Sequence, residues 1–359
     1  MLAINGKIFT QKMTGLGRFS YEIIKSLIEK EIPFQIMTPN LPISTEYLDL
    51  QEYIVRDTVS LHPFLWEIFR LPSLLNKKIH NALWSPANIG PIHASVPHFL
   101  TLHDLAFLNS GWINNLSYVL YNFFIPKAMS NADKIVCVSD FIRQEIIEKY
   151  THISPSKVLW IHSGCDHLKD DTILAEIGTD SLLPNSSYFV MLGNIESRKN
   201  FDRIVDAWEI SKSQLKFEVK LFIVGTKKRR ENFNVDIASE DSSISITGRI
   251  SDQEVVNLLK SARGLIFPSL YEGFGFPILE AMKCGCPVIT SNIGAMKEIA
   301  GDAAICVDPY STECISSAIK MLALDDDTYL RLKNDGIERS KLFTWEKSTK
   351  FYIENVFNI

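Results

Sequence analysis

Residues 264–290 run Gly264-Leu-Ile-Phe-Pro-Ser-Leu-Tyr-Glu272-Gly-Phe-Gly-Phe-Pro277-Ile-Leu-Glu280-Ala-Met-Lys-Cys-Gly285-Cys-Pro-Val-Ile-Thr290. The apolar run Gly264 to Phe267 has the length and composition of a buried strand, and a loop with glycines at 273 and 275 follows it. Pro277 suits the first helical residue, where its missing N–H is no loss, and Gly285 ends the helix before the strand Pro287 to Thr290. This is a βαβ unit with a glycine-bearing turn at its mouth. Such a turn leaves amides unpaired at a helix N-terminus, at the carboxyl end of the strands, where open α/β sheets bind phosphorylated ligands. Glu272 stands at the mouth, and Glu280, eight residues on, is expected on the helix's first turn, facing the same ligand. Phosphates would repel a carboxylate, so each acid must address hydroxyls instead, which is a sugar pattern.

The same alternation extends outward over the 359 residues. In the first half the strands are expected at Leu2 to Asn5, Phe34 to Thr38, Ala82 to Ser85, Phe99 to Leu102, Lys134 to Ser139 and Val158 to His162. In the second half they fall at Tyr188 to Leu192, Lys220 to Val224, Ile244 to Thr247, Gly264 to Phe267, Pro287 to Thr290 and Ala304 to Val307. Phe19, Ile23 and Leu27 recur at four-residue spacing and give the segment Leu16 to Lys30 one buried helix face. Ser251 followed by Glu254 forms a capping box before the apolar run from Val255. Thr344 to Phe357 reads as a last helix. The polar segment Asp166 to Ser187 is the expected linker. Charge divides there too: residues 1–165 carry a net +1, residues 166–359 a net −6, and all eight histidines lie at or before His167. The chain is therefore read as two α/β domains rather than one.

Composition narrows the class. A hydrophobic share of 46% with 22% charged residues fits a globular protein, and the net charge of −5 argues against a nucleic-acid partner, whose phosphates require clustered cations. No run approaches the ~18 apolar residues of a membrane span, and Met1 to Phe9 does not read as a leader, so an unsecreted, cytoplasmic protein is expected. The six cysteines form no Cys-x-x-Cys pair and read as reduced, buried thiols. Asp325-Asp326-Asp327 contains an Asp-x-Asp, but it sits between helical stretches rather than at a strand end. Lys227-Lys228-Arg229-Arg230 reads as a solvated loop.

The acidic pair in Glu272-GFGFPIL-Glu280 resembles the hallmark of the retaining GT-B glycosyltransferases known as glycosyl transferases group 1, or family 4. The likeness continues through Thr14-Gly15-Leu16-Gly17-Arg18, Leu102-His103-Asp104, Val138-Ser139-Asp140-Phe141, Ser163-Gly164-Cys165-Asp166, Leu192-Gly193-Asn194, Arg198-Lys199-Asn200, Val224-Gly225 and Thr247-Gly248-Arg249-Ile250. It implies two Rossmann-like, doubly wound domains facing a cleft, with the final helix returning to the first. The expected boundaries are residues 1–165 with 344–359 for the acceptor side, 166–187 for the linker and 188–343 for nucleotide-sugar binding.

Roles follow from that resemblance. Arg198 and Lys199 would neutralise the donor diphosphate with the amides of Gly15, Leu16, Gly17, Gly273, Phe274, Gly275 and Phe276. Glu272 would orient the donor sugar, Glu280 would hold the ribose, the backbone of Arg249 and Ile250 would meet the base, and His103 would contact the transferring sugar. With two cations at the diphosphate, no metal or other cofactor is expected. The partners implied are a nucleoside diphosphate sugar and a saccharide or lipid-linked acceptor, with no nucleic acid. The Thr14 to Arg18 loop resembles bacterial mannosyl- and rhamnosyltransferase members that build surface polysaccharides, O-antigen or capsule, and points to GDP-mannose before UDP-sugars or dTDP-rhamnose. A non-catalytic sugar-nucleotide binder or a nucleotide-sugar epimerase would share the fold. Phe64 to Lys78, bulky and apolar with cations at its end, reads either as peripheral contact with the inner membrane face or as domain core or dimer interface.

Overall fold

The computed structural model describes residues 1–167, 188–227 and 241–358. Most of the expected linker, including Asp170, Asp171, Gly178, Pro184 and Asn185, and Lys228-Arg229-Arg230 of the basic loop lie outside the described residues. The chain forms two compact units, Met1–Gly164 with Thr344–Ile359, and Cys165–Phe343.

The first unit is built on a parallel sheet of seven strands. These are β1 (Leu2–Asn5), β2 (Phe34–Thr38), β3 (Ile54–Arg56), β4 (Ala82–Ser85), β5 (His98–Leu102), β6 (Lys134–Cys137) and β7 (Val158–Trp160), in the order β3-β2-β1-β4-β5-β6-β7. The second unit carries β8 (Tyr188–Leu192), β9 (Lys220–Val224), β10 (Ile244–Gly248), β11 (Gly264–Phe267), β12 (Val288–Ser291) and β13 (Ile305–Val307), in the order β10-β9-β8-β11-β12-β13. Every pair is parallel. Both orders reverse direction beside the first strand, so each sheet opens a crevice at its carboxyl edge, between β1 and β4 and between β8 and β11.

Each expected strand is present within one residue at either end, except that Lys134 to Ser139 and Val158 to His162 end two residues early, at Cys137 and Trp160. Ser139 is instead spent as the N-cap of the next helix, accepting from the Ile142 amide. The strand β3 was not anticipated. It is a three-residue edge strand with Val55 exposed, so no buried run announces it.

The helices that position the site are α1 (Gly15–Glu29), α2 (Asn115–Asn131), α3 (Asp140–Lys149), α4 (Phe201–Lys212), α5 (Asp252–Ser261), α6 (Phe276–Lys283), α7 (Gly294–Ala300), α8 (Thr312–Leu324), α9 (Asp326–Ser340) and α10 (Trp345–Phe351). Phe19, Ile23 and Leu27 of α1 are fully buried, as their spacing requires. Ser251 and Glu254 close the capping box of α5. The aspartate run has a structural use: Asp325 caps α9 by accepting from the Thr328 amide, and Asp326 pairs with Arg263 at 2.7 Å. After α10 a π-helical turn, Tyr352–Phe357, brings the chain back onto the first sheet, where the Tyr352 hydroxyl meets Thr101 at 2.7 Å and its ring packs on Trp84 and Phe19. None of the described helices is long and apolar enough to cross a membrane.

Phe64 to Lys78 divides by face. Phe64, Trp66, Ile68 and Leu71 are buried, and the Trp66 indole donates to Asp57 at 2.9 Å, while Leu65 and Phe69 face outward at 40% and 59% exposure. Trp66 is therefore core and not a surface anchor.

Candidate functional site

The site is built at the β8/β11 crevice. After β8 the chain passes Gly193 and Glu196 into a single turn, Ser197–Lys199, that ends at Asn200 with φ of 63°. The Asn200 side-chain amide donates to the carbonyls of Pro268, 3.0 Å away, and Pro309, 2.6 Å away, which pins this turn against the end of β11. A second tie runs from the Leu270 amide to the Arg198 carbonyl at 2.9 Å. These bonds bring residues far apart in the chain into one cluster. Arg198 donates to Glu272 at 2.8 Å, to the Tyr271 carbonyl at 3.0 Å and to Glu196 at 3.0 Å, and Lys199 donates to the other Glu272 oxygen at 2.6 Å. The Lys199 ammonium also stands 4.6 Å from the centre of the Phe267 ring.

Electrostatics follow from this geometry. Burial pushes the Glu272 carboxyl upward, but Arg198 and then Lys199 outweigh it and hold the group at about 2. Glu272 is therefore ionised at neutral pH. Lys199 is lowered, chiefly by burial and further by Arg198, with Glu272 pulling the other way. The cluster holds two cations against the carboxylates of Glu272 and Glu196. Each Glu272 oxygen has a second lone pair beyond the one that meets its cation, and the Lys199 ammonium has three donors in all.

Gly275 has φ of 124°, a conformation a side chain strains to adopt, and it turns the chain into α6 with Pro277 in the first turn. Gly273 and Phe274 are buried, and Phe274 packs on Phe276 with centroids 5.1 Å apart. Glu280 is the fifth residue of α6 and so lies in the second turn, not the first as its sequence position suggested, because the helix begins at Phe276. It is partly exposed. Arg249 and Ile250 follow β10, an edge strand separated from β11 by β9 and β8. Arg249 is exposed.

His103, Gly15, Leu16 and Gly17 belong to the first unit. His103 follows β5 and is 6% exposed; its Nε2 lies 2.7 Å from the Pro86 carbonyl, which can only accept, so the proton sits on Nε2 and Nδ1 is left as an acceptor. Burial keeps its pKa below the usual histidine range, against the opposing pull of Pro86 and Asp104, so the ring is neutral at pH 7. Its edge packs on Phe19 of α1, 4.9 Å between centroids. Gly17 sits within the first turn of that helix, but the space its missing side chain leaves is filled from inside. A Cβ there would stand 2.1 Å from the Tyr47 hydroxyl, so Gly17 is required for this packing whatever ligand approaches. Neither Glu196 nor the tethering role of Asn200 was anticipated. The signal lay in Glu196-Ser-Arg198-Lys199-Asn200, an acid two residues before the cations and a residue tolerant of left-handed backbone directly after them.

Two family models fit the chain. The one described as "Glycosyl transferases group 1" matches residues 179–339, and "Glycosyltransferase Family 4" matches residues 13–167, so together they take in most of both units. The chain belongs to the group 1 glycosyltransferases. Within this family it is 25% identical to the "O-antigen chain mannosyltransferase B" of Escherichia coli, over 94% of each chain. It is 28% identical to the "Serotype-specific mannosyltransferase WbdA" of Escherichia coli over 62% of its own length, though it spans only 28% of that longer protein. Among solved structures, WaaG, described as "a glycosyltransferase involved in lipopolysaccharide biosynthesis", aligns with a TM-score of 0.74 at 15% identity, covering 98% of this chain and 99% of that one. Anabaena Alr3699/HepE, solved "in complex with UDP and glucose", gives a TM-score of 0.75 at 16% identity over 100% and 99%. These likenesses place the fold among GT-B glycosyltransferases, and the chain is a hexosyltransferase of that fold.

Proposed function

We propose that this glycosyltransferase moves mannose from GDP-mannose, with retention at the anomeric carbon and without a metal, onto a lipid-linked saccharide acceptor in O-antigen synthesis. The observation that carries the reading is the cluster of Arg198, Lys199 and Glu272 at the β8/β11 crevice. Cleaving a glycosyl phosphate builds positive charge at the anomeric carbon and negative charge on the departing diphosphate, so the site needs fixed cations on one side and a carboxylate-held sugar on the other. Arg198 and Lys199 are held in place before the donor arrives, with Glu272 and Glu196 as placeholders for phosphate oxygens.

In this reading the diphosphate shares the two cations with Glu272, and the second lone pairs of Glu272 accept sugar hydroxyls. The amides of Gly15, Leu16 and Gly17, and those of Gly273, Phe274, Gly275 and Phe276, add donors for phosphate. Glu280 accepts the ribose hydroxyls from the second turn of α6, the backbone of Arg249 and Ile250 meets the base, and His103 accepts from the transferring sugar through Nδ1. The bond from the anomeric carbon to the phosphate oxygen breaks as the acceptor oxygen bonds to that carbon on the same face. The acceptor proton passes to the departing phosphate, so no protein base is required. The mannosyl assignment is supported by the two mannosyltransferase relatives, and the UDP complex of HepE keeps UDP-sugars as the next donors to try.

The test is a donor panel of GDP-mannose, UDP-glucose and dTDP-rhamnose with a lipid-linked saccharide, with product configuration read by NMR, in the presence and absence of EDTA. The expected result is an α-mannoside from GDP-mannose at a rate that chelation leaves unchanged. An inverted product, or activity lost with EDTA and restored by magnesium, overturns the mechanism; transfer from another donor overturns the mannosyl assignment alone.

A further inference from the structure

Between β4 and β5 the chain makes a tight loop, Pro86-Ala-Asn88-Ile-Gly90, at the carboxyl edge of the first sheet. Asn88 is the centre of a three-residue turn in which the Ile89 amide donates to the Ala87 carbonyl at 2.7 Å, and its φ of 61° lies in the left-handed region. A non-glycine residue held there is strained and persists only where its surroundings fix it. Three hydrogen bonds to β5 and the residue after it do so. The Asn88 backbone amide donates to the Thr101 carbonyl at 3.0 Å, the His103 backbone amide donates to Asn88 Oδ1 at 2.6 Å, and His103 Nε2 donates to the Pro86 carbonyl at 2.7 Å. Gly90 seals the far end of the loop, since a Cβ there would stand 2.7 Å from the ring of buried His98. The loop therefore holds both the backbone and the ring of His103.

These bonds determine which atoms are left over. A backbone N–H only donates, so the Asn88 atom it meets is the carbonyl oxygen, and Nδ2 is the atom that remains. Asn88 is half-buried, and among the described residues nothing accepts from Nδ2. His103 leaves the opposite group: with its proton on Nε2, the remaining ring atom is the acceptor Nδ1. Two residues joined by one 2.6 Å hydrogen bond thus keep an uncharged donor and an uncharged acceptor. A phosphate is a poor fit, because its oxygens and Nδ1 are all acceptors. A sugar fits, since one hydroxyl donates to Nδ1 while the oxygen of another accepts from Nδ2. We propose that Asn88 is a sugar-contacting residue of the first unit, which donates through Nδ2 to a hydroxyl of the sugar that His103 contacts and holds His103 through Oδ1. This rests on the reading above that His103 meets the transferring sugar.

The test is NMR of the full chain carrying isotope-labelled asparagine, with the Asn88 side-chain amide signals assigned by their loss in Asn88→Asp. The chain is titrated with GDP-mannose, UDP-glucose and dTDP-rhamnose, and with each bare nucleoside diphosphate, while calorimetry follows binding. The Asn88 signals should move with the nucleotide sugar that binds and stay in place with its diphosphate alone. Kinetics supply the second readout. Asn88→Asp keeps an acceptor for the His103 amide but sets another acceptor where the sugar needs a donor. It should melt with wild type and lose about tenfold or more in kcat/KM, the worth of one hydrogen bond. Asn88→Gly suits the left-handed turn but removes both side-chain bonds, and should lose more. Should Asn88→Asp melt below wild type, the titration of wild type decides. The inference is overturned if the Asn88 signals ignore every nucleotide sugar that calorimetry shows bound, if they move equally with the diphosphate alone, or if Asn88→Asp transfers like wild type. Wild type that transfers sugar while those signals stay fixed sinks the Asn88 contact alone. Wild type whose signals move with a nucleotide sugar but which transfers none sinks the enzymatic reading alone, and wild type that binds no nucleotide sugar sinks both.

Discussion

Glu67 and Glu272 occupy comparable positions in the two units. Each is a buried carboxylate at the carboxyl edge of its sheet: Glu67 accepts from Asn5, the last residue of β1, and from Lys7, while Glu272 follows β11 and accepts from Lys199 and Arg198. Burial pushes both upward. For Glu67 the single lysine and the Asn5 amide fail to offset it, and the group ends above the usual carboxylate range. For Glu272 the added guanidinium reverses the outcome and the group ends at about 2. The comparison teaches that burial does not set the charge of such a site; the number of cations packed into it does. In the second unit two cations, Arg198 and Lys199, converge on one buried carboxylate, where in the first Lys7 pairs with Glu67.

The largest effect should come from removing those two cations. Arg198→Ala and Lys199→Ala should each lower turnover on the order of 10²-fold or more, because charge on the leaving diphosphate peaks in the transition state. Lys7→Ala, at the other crevice, should cost stability and leave turnover within a few-fold of wild type. Steady-state kinetics on the three variants decides the matter: equal losses for Lys7 and Lys199 would erase the distinction between the crevices. Next in size is Glu280→Ala. A carboxylate that accepts ribose hydroxyls binds the ground state and the transition state alike, so its loss should raise the donor KM by roughly 10- to 100-fold, the worth of a charged hydrogen bond, with kcat held. A collapsed kcat at unchanged KM would move Glu280 from the ribose to the reacting centre.

Much of the architecture could be read from apolar runs and their punctuation, because a parallel sheet buried on both faces writes itself as short hydrophobic segments. What escaped did so for stated reasons. β3 is an exposed edge with no burial to betray it, and Phe64 to Lys78 stayed open between membrane contact and core because buried Trp66 cannot be separated from exposed Phe69 without knowing where the helical turns fall. At the site, the residue types were legible from the Glu272 to Glu280 pattern and the Arg198-Lys199 pair. Their mutual ion pairs were not, since they join positions 73 and 74 residues apart that only the folded sheet makes neighbours. Gly17 is the instructive middle case. Its amide was expected to meet a ligand, and the structure adds an independent packing reason for glycine, the Tyr47 hydroxyl.

That case gives a third test, confined to the first unit. Gly17→Ala should lower stability by about 1–3 kcal/mol, the usual cost of overpacking a filled site. Tyr47→Phe in the same chain should restore most of it, since the atom at 2.1 Å is gone and the next ring atom stands at 3.4 Å. Thermal melts of the single and double variants read this directly; no rescue would mean that the cost of Gly17→Ala does not come from the Tyr47 hydroxyl.

The smallest effect concerns pH and puts the two carboxylates in direct opposition. Glu272 has a folded pKa of about 2, below the roughly 4.3 of a free glutamate, so the unfolded chain binds more protons between those values. Its contribution to stability is complete above the unfolded value and is lost as pH falls toward the folded one. Glu67 is raised, so the folded chain binds more protons in the window above the unfolded value. Its contribution is complete below that value and is lost as pH rises through the folded pKa. Glu272→Gln should therefore fall further behind wild type as pH climbs from acid to about 4.3, whereas Glu67→Gln should gain on wild type as pH climbs beyond it. Hydrogen exchange followed by mass spectrometry reads the units separately, using peptides that span β1 and β11, and so avoids treating a two-unit chain as a single transition. If both variants drift in the same direction with pH, the added guanidinium does not distinguish the two crevices, and the contrast between Glu67 and Glu272 has to be abandoned.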